Sequence, residues 1–284
     1  MAEPLVLSER IEAGMIIRLN RAEKRNAVND ALAAAAIAAI DEADADPEVR
    51  VIIFTGTGNS FTAGQDMGEA SDRMAPSLSP SPNALGEGER IQQATTKNSS
   101  PIAMGEGQGR GPSPGGSGGL SARLGRVEKP IVAAINGFCM GGGTVTALQC
   151  DIRICSDRAT FRFPGASYGL VVAASLLPAV VGQARAKDLV FTGRTIDAAE
   201  ALAMGLVNKV VPHEQLEAVA LEYARMIAAS SPLAIRHAKR VINAAALDAA
   251  AIALERDANR ELRGGADHTA RFSAATDRVV GRPS

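Results

Sequence analysis

Three consecutive glycines, Gly141, Gly142 and Gly143, follow the apolar run IVAAI at 131–135 and a short turn, and they open a segment patterned as a helix. A helix start leaves backbone N–H groups without intrahelical partners, and its dipole favours negative charge. With no Cβ in the way, a ligand can approach that backbone closely. The chemistry this allows is electrostatic: amides aimed at an oxygen that gains charge during reaction, where one lost donor costs roughly 3–4 kcal/mol. One such donor comes from a helix start and a second from a loop. A loop of the right kind, FTAGQDM at 61–67, follows the strand-like run 51–54. Three glycines alone also suit close helix packing, but the accompanying AGQD loop favours the donor reading. Asp66 in that loop reads as bonding its own backbone amides.

Other chemistries lack their residues. His213, His237 and His268 are isolated and offer no metal-ligand spacing, so no metal site is expected. Cys139, Cys150 and Cys155 sit in apolar surroundings and read as reduced core thiols. A net charge of −1 gives no basic face for nucleic acid. The start MAEPLVLSER has no apolar run suited to a signal peptide or a membrane span, so a cytoplasmic protein is expected. At 284 residues and 46% hydrophobic, the chain can bury a full core.

The elements that must position the glycines alternate. Strands are predicted at 5–8 and 15–19, then the turn NRAEKRNAVND, with Asn29 or Asp30 capping an alanine-rich helix that ends before Pro47. A strand at 51–54 then implies parallel pairing across that helix. After Asp151 come a strand at 152–155, a short partner near 160–163 and helices broken at Pro178 and Gly182. Thr195 or Asp197 caps a short helix that Gly205 closes, and a strand runs to Pro212. Beyond His213 the pattern is helical, over 213–229, 232–245 and 248–263. The predicted division is an α/β core over 1–200 and a mostly helical region over 201–284. Residues 71–127, with SLSPSPNALGEGER and GEGQGRGPSPGGSGG, are rich in Pro, Gly and Ser. They read as a mobile surface insertion that tolerates shortening, or as a lid over a pocket.

Several motifs taken in order, NRAEKRNAVND, IIFTGTGNSFTAGQDM, KPIVAAINGFCMGGG, CDIRICSDRATFRFP, TGRTIDAAEALAMGLVNKVVP and SPLAIRHAKR, resemble the crotonase (enoyl-CoA hydratase/isomerase) superfamily across nearly the whole chain. The resemblance implies a spiral of strand-strand-helix units with a helical C-terminal trimerisation region. It also implies an acyl-CoA thioester as substrate or ligand, no other cofactor, a place in fatty acid metabolism and a homotrimer or hexamer. By resemblance the oxyanion-hole amides are those of Gln65 and Gly142. Lys24 and Arg25 meet the nucleotide phosphates, Ala27, Ala63, Gly64, Met67 and Gly141 line the bound CoA ester, and Phe272 caps the pocket from the C-terminal region.

Two positions depart from the family pattern. Val145 stands two residues after the glycine triplet, and Gly165 follows Pro164, where the hydratases of the family carry glutamates. Hydration of an enoyl thioester needs an acid and a base, and these side chains supply neither. Substitutes to consider are Tyr168 above all, then Ser167, Ser175, Glu87, Glu89 and Glu106. The expected function is therefore an acyl-CoA enzyme of this superfamily that is a poor classical hydratase; the alternative is a non-catalytic acyl-CoA carrier or sensor. A serine peptidase of the related Clp type is disfavoured, because no Ser occupies the nucleophile turn.

Overall fold

The computed structural model describes residues 3–12, 14–69 and 116–280. Two sheets organise it. The larger has six strands in the order β1 (Val6–Ile11), β2 (Gly14–Leu19), β3 (Val51–Gly56), β5 (Ile131–Ile135), β7 (Ile152–Ser156) and β10 (Lys209–Val211). Only the β1–β2 pair is antiparallel; the rest run parallel. The smaller sheet orders β4 (Ser60–Thr62), β6 (Phe138–Met140), β8 (Thr160–Arg162) and β9 (Thr195–Asp197), with only β8–β9 antiparallel.

Alternation along the central strands explains why they read as continuous apolar runs: both faces are covered. Ile52, Phe54, Ile131, Ala133 and Ile135 join one cluster with α1 (Asp30–Ala45) and α2 (Gly116–Leu124). Val51, Ile53, Val132 and Ala134 face the opposite way, onto α7 (Leu216–Ala228) through Leu216, Ala220 and Ala224. The predicted strand-helix-strand unit forms, with the Asn29 side chain accepting from Leu32 N–H at 2.9 Å to cap α1. Strand β10 and helix α7 lie beyond residue 200, yet they complete the larger sheet and cover it.

The expectation for 71–127 fails over its last part. Residues 116–124 form α2, with Leu120 and Leu124 fully buried against α1 and α3 (Gly142–Leu148). Arg123 anchors it further by ion pairs to Asp41 and Asp44 at 2.5 and 2.9 Å. Glycines at 116, 118 and 119 hid a helix whose two leucines sit at i and i+4. Residues 70–115, with Glu87, Glu89 and Glu106, lie outside the described residues.

Of the two predicted breaks, the one at Gly182 occurs, α4 (Leu177–Val181) giving way there to α5 (Gln183–Thr192); Pro178 instead sits in the first turn of α4, where its missing N–H costs no helix bond. Asp197 caps α6 (Ala198–Met204) and Gly205 ends it with φ +79°. Helices α8 (Pro232–Ala246) and α9 (Ala249–Leu262) have no buried residue in the single chain. A helix the pattern left undrawn, α10 (Ala266–Val280), folds back onto the one-turn 3-10 helix Ala166–Tyr168. All three cysteines are free and buried. Among the described residues no helix is long and apolar enough to cross a membrane, and no group of three or more His, Cys, Asp or Glu could hold a metal.

Candidate functional site

The turn 21–27 carries the first half of the site. Asn26 is fully buried, and its side chain closes the turn by donating to Thr57 O (3.0 Å) and Ser60 O (2.8 Å) and accepting from Arg21 N–H (2.9 Å). Those bonds hold Arg25 and Asn26 at φ +52° and +53°, a left-handed conformation uncommon outside glycine. Lys24 and Arg25 project from this turn and are exposed, with the Arg25 guanidinium 4.9 Å from the centroid of the Phe138 ring. Charged groups held this way can meet an anion such as a phosphate.

The AGQD loop lies along the same turn. Ala63 N–H donates to Arg25 O (2.9 Å), Val28 N–H to Gly64 O (2.7 Å) and Asp66 N–H to Val28 O (3.0 Å), which makes Gln65 a bridge partner of Val28. Ala27 is tied in through its carbonyl, which accepts from Arg21 at 3.0 Å. Asp66 does cap its own loop, accepting from Gly68 N–H at 3.0 Å, and also pairs with Arg21 at 2.5 Å. Burial pushes its carboxyl up, but Arg21 and the loop amides outweigh that and hold it below the ordinary value. Met67 follows, half-buried, in the next turn.

The glycine triplet meets this loop edge to edge. A Cβ on Gly64, whose φ is +88°, would lie 2.6 Å from Met140 O and 2.7 Å from Gly142 N, so only glycine fits. A Cβ on Gly142 would lie 3.6 Å from Gln65 N and 2.5 Å from Ser117 Oγ. Gly141, at φ +54°, donates to Arg162 O and turns the chain from β6 into α3. Gly143 does serve packing, its α-carbon lying against Thr62 O. The structure thus brings the Gln65 and Gly142 amides to one place. Among the described residues, neither N–H has a protein acceptor.

Val145 and Gly165, the positions expected to depart from the family pattern, differ in surroundings. Val145 is half-buried and packs on the core. Gly165 is buried, and a Cβ there would lie 2.8 Å from Val172 Cβ and 3.1 Å from Leu170 O. Tyr168 ends the one-turn helix that starts after Gly165. Its carbonyl lies 2.8 Å from His268 Nδ1, which must therefore carry the proton, and its ring meets Phe272 edge-on at 6.5 Å. Phe272 is itself buried within its own chain, against Tyr168 and His268. Ser167 is exposed, and Ser175 N–H donates to Glu255 Oε2 at 2.6 Å. A cleft of about 280 Å³ bounded by Asp44, Arg50, Lys129, Pro232 and Arg236 contains none of the predicted site residues.

Sequence reading passed over Ser117, Val172 and His268. Ser117 was hidden in a low-complexity stretch, Val172 in an apolar run, and His268 had no partner in sequence.

The comparisons with known proteins agree with this architecture. The family model described as enoyl-CoA hydratase/isomerase matches residues 10–116 and 113–273. The mevalonyl-coenzyme A hydratase of Aspergillus fumigatus is 35% identical over 225 residues, 78% of this chain and 72% of that one. The short-chain-enoyl-CoA hydratase of Clostridium acetobutylicum is 33% identical over 242 residues, 84% of this chain and 80% of that protein. Among solved structures, an enoyl-CoA hydratase/isomerase of Pseudoalteromonas atlantica superimposes with a TM-score of 0.76 at 28% identity, covering 97% of this chain and 98% of that one. The chain belongs to the enoyl-CoA hydratase/isomerase family, and its fold is the crotonase type with a C-terminal helical region.

Proposed function

We propose that the protein binds an acyl-CoA thioester with the carbonyl oxygen between the amides of Gln65 and Gly142, and that it hydrates enoyl-CoA poorly. The observation that carries the first half is the contact of Gly64 with Gly142 N, which juxtaposes two backbone donors that have no acceptor among the described residues. Such donors stabilise an enolate oxygen. The exposed Lys24 and Arg25 meet the CoA phosphates, and the backbone of Ala27, Ala63, Gly64, Met67 and Gly141 lines the pantetheine and thioester. Phe272 and Tyr168 border the acyl end.

The second half rests on Val145 and Gly165, which occupy the positions of the family's acid and base. General acid–base groups contribute typically 10²–10⁴-fold each. A reaction that needs little protein proton transfer, such as decarboxylation, suits the site, as does isomerisation or thioester hydrolysis with Tyr168 as the polar group. The packing of Val172 on Gly165 also favours a second reading, an acyl-CoA carrier or sensor, because an apolar side chain has taken the space of the missing carboxylate.

The test is ligand-side. Butyryl-CoA should bind at least tenfold more tightly than its thioether analogue lacking the carbonyl, and the ¹³C-labelled carbonyl stretch should move to lower wavenumber on binding. Equal affinities with an unshifted band would refute the oxyanion assignment. Crotonyl-CoA should bind without hydration above background, and turnover of any member of an acyl-CoA panel separates enzyme from carrier.

A further inference from the structure

Ser117 stands at the first turn of α2 with only 8% exposure, and both of its donors go to one atom. Its N–H donates to Gln65 Oε1 at 3.1 Å and its Oγ–H to the same oxygen at 3.0 Å. A backbone N–H can only donate, so the atom it faces is the oxygen of the carboxamide and the orientation of the amide is unambiguous. Gly116 makes the approach possible: its φ is +75°, and a Cβ there would lie 2.7 Å from Oε1 and 2.9 Å from Nε2. Helix α2 is rigidly held through Leu120, Leu124 and a 2.9 Å contact between Ser121 Oγ and Thr146 Oγ1. Ser117 Oγ also lies against the α-carbon of Gly142. The carboxamide is therefore pinned beside both amides of the proposed oxyanion hole.

Pinning the oxygen leaves the other end of the carboxamide committed as a donor. Among the described residues, Gln65 Nε2 has no acceptor, although the side chain is half-buried. We infer that Gln65 is a specificity-determining residue, held by Ser117, whose Nε2 donates to an acceptor oxygen on the acyl chain beyond the thioester carbonyl. The ligand class is then an acyl-CoA bearing a nearby oxygen substituent rather than a plain hydrocarbon chain. This rests on the reading of the site as an acyl-CoA pocket. The roles of the two halves of Gln65 are separable, because its backbone N–H survives any substitution of its side chain.

Affinities of the protein for 3-oxobutyryl-CoA and butyryl-CoA, which share a carbon skeleton, test the assignment by calorimetry. A donor matched to the extra oxygen should favour the 3-oxo ester about five- to tenfold, the range of one net hydrogen bond. Gln65→Ala should bring the ratio to about one. Gln65→Glu keeps an acceptor for Ser117 but presents no donor, and should invert the preference. Ser117→Ala, which retains the N–H bond, should lower the ratio by about half. A wild-type ratio near one, or a ratio unchanged in Gln65→Ala, would overturn the inference with the acyl-CoA pocket intact. Failure of both esters to bind would instead remove the pocket reading itself and this inference with it.

Discussion

Gly64 shows how a single residue couples backbone conformation to chemistry. Its φ of +88° is one that side chains avoid, and the space a Cβ would fill is already taken by Met140 O and Gly142 N. Gly64→Ala combines left-handed strain with overpacking, each of order 1–3 kcal/mol, for a total of roughly 2–6 kcal/mol. Chemical denaturation should show that loss. Because the alanine Cβ would push the AGQD loop away from the glycine triplet, thioester affinity should fall at least tenfold even where the variant is fully folded. Wild-type stability with wild-type affinity would mean the two loops are not in contact as described. Gly165 presents the converse case, since its buried α-carbon is crowded by Val172. Gly165→Glu alone should destabilise the protein. Adding Val172→Gly should recover part of that loss, because it removes both Val172 Cβ and Cγ2, the atoms nearest the new side chain. No recovery in the double variant would show that the crowding comes from elsewhere.

Helix α2 decides how the middle of the chain is to be understood. The Pro, Gly and Ser content of 71–127 argued for a segment outside the core, yet α2 packs on α1 and α3 and supplies Ser117 to the site. Periodicity in it amounts to Leu120 and Leu124 alone, and the surrounding glycines have the lowest helix propensity after proline. Tertiary burial of the two leucines overrides that propensity. Leu120→Ala should therefore cost about 2–4 kcal/mol in denaturant unfolding. A loss under about 0.5 kcal/mol would return α2 to the status of a surface feature. Deletion of 105–119 would remove Ser117 with the first turn of α2, so shortening within the low-complexity stretch should be confined to residues before 116.

At the scale of the whole molecule, two properties depend on many residues at once. Burial raises the Cys150 and Cys155 thiols to about 12, from an ordinary value of 9.0, and raises Cys139 well above that value. Above pH 9 the unfolded chain releases these protons while the folded chain keeps them. The unfolded state then binds fewer protons, and stability falls as pH rises, by about 1.4 kcal/mol per pH unit for each thiol until its folded value is reached. Denaturation midpoints between pH 8 and 10.5 should fall in the wild type and fall less steeply when Cys150 and Cys155 are replaced by alanine. Identical slopes would sink this account. Leu233, Val241, Ile242 and Leu254 of α8 and α9 are exposed in the single chain, at 59 to 71%. We propose that another copy covers them, in the trimer or hexamer that the family resemblance implies. Sedimentation should report an oligomer, and Val241→Glu with Ile242→Glu should dissociate it; a monomeric wild type would end that proposal.

The ordered motifs were enough to assign the crotonase-type fold, because each encodes a local requirement that survives without partners. Asn29 caps a helix through its own turn, Gly205 ends one in a conformation that disfavours other residues, and buried parallel strands read as unbroken apolar runs. Local chemistry also located the glycine triplet and the AGQD loop as separate features. Their meeting, through the α-carbon of Gly64, depends on strands β4 and β6 pairing across a long stretch of chain, and no local pattern encodes that distance. The same holds for the contacts with no signal in sequence. Ser117 reaches Gln65 because α2 docks in the core, Val172 lies against Gly165 because the chain folds back over it, and His268 finds Tyr168 because α10 returns to that turn. Propensity and capping act within a few residues, whereas these contacts come from long-range burial, which places side chains only once the whole core has closed.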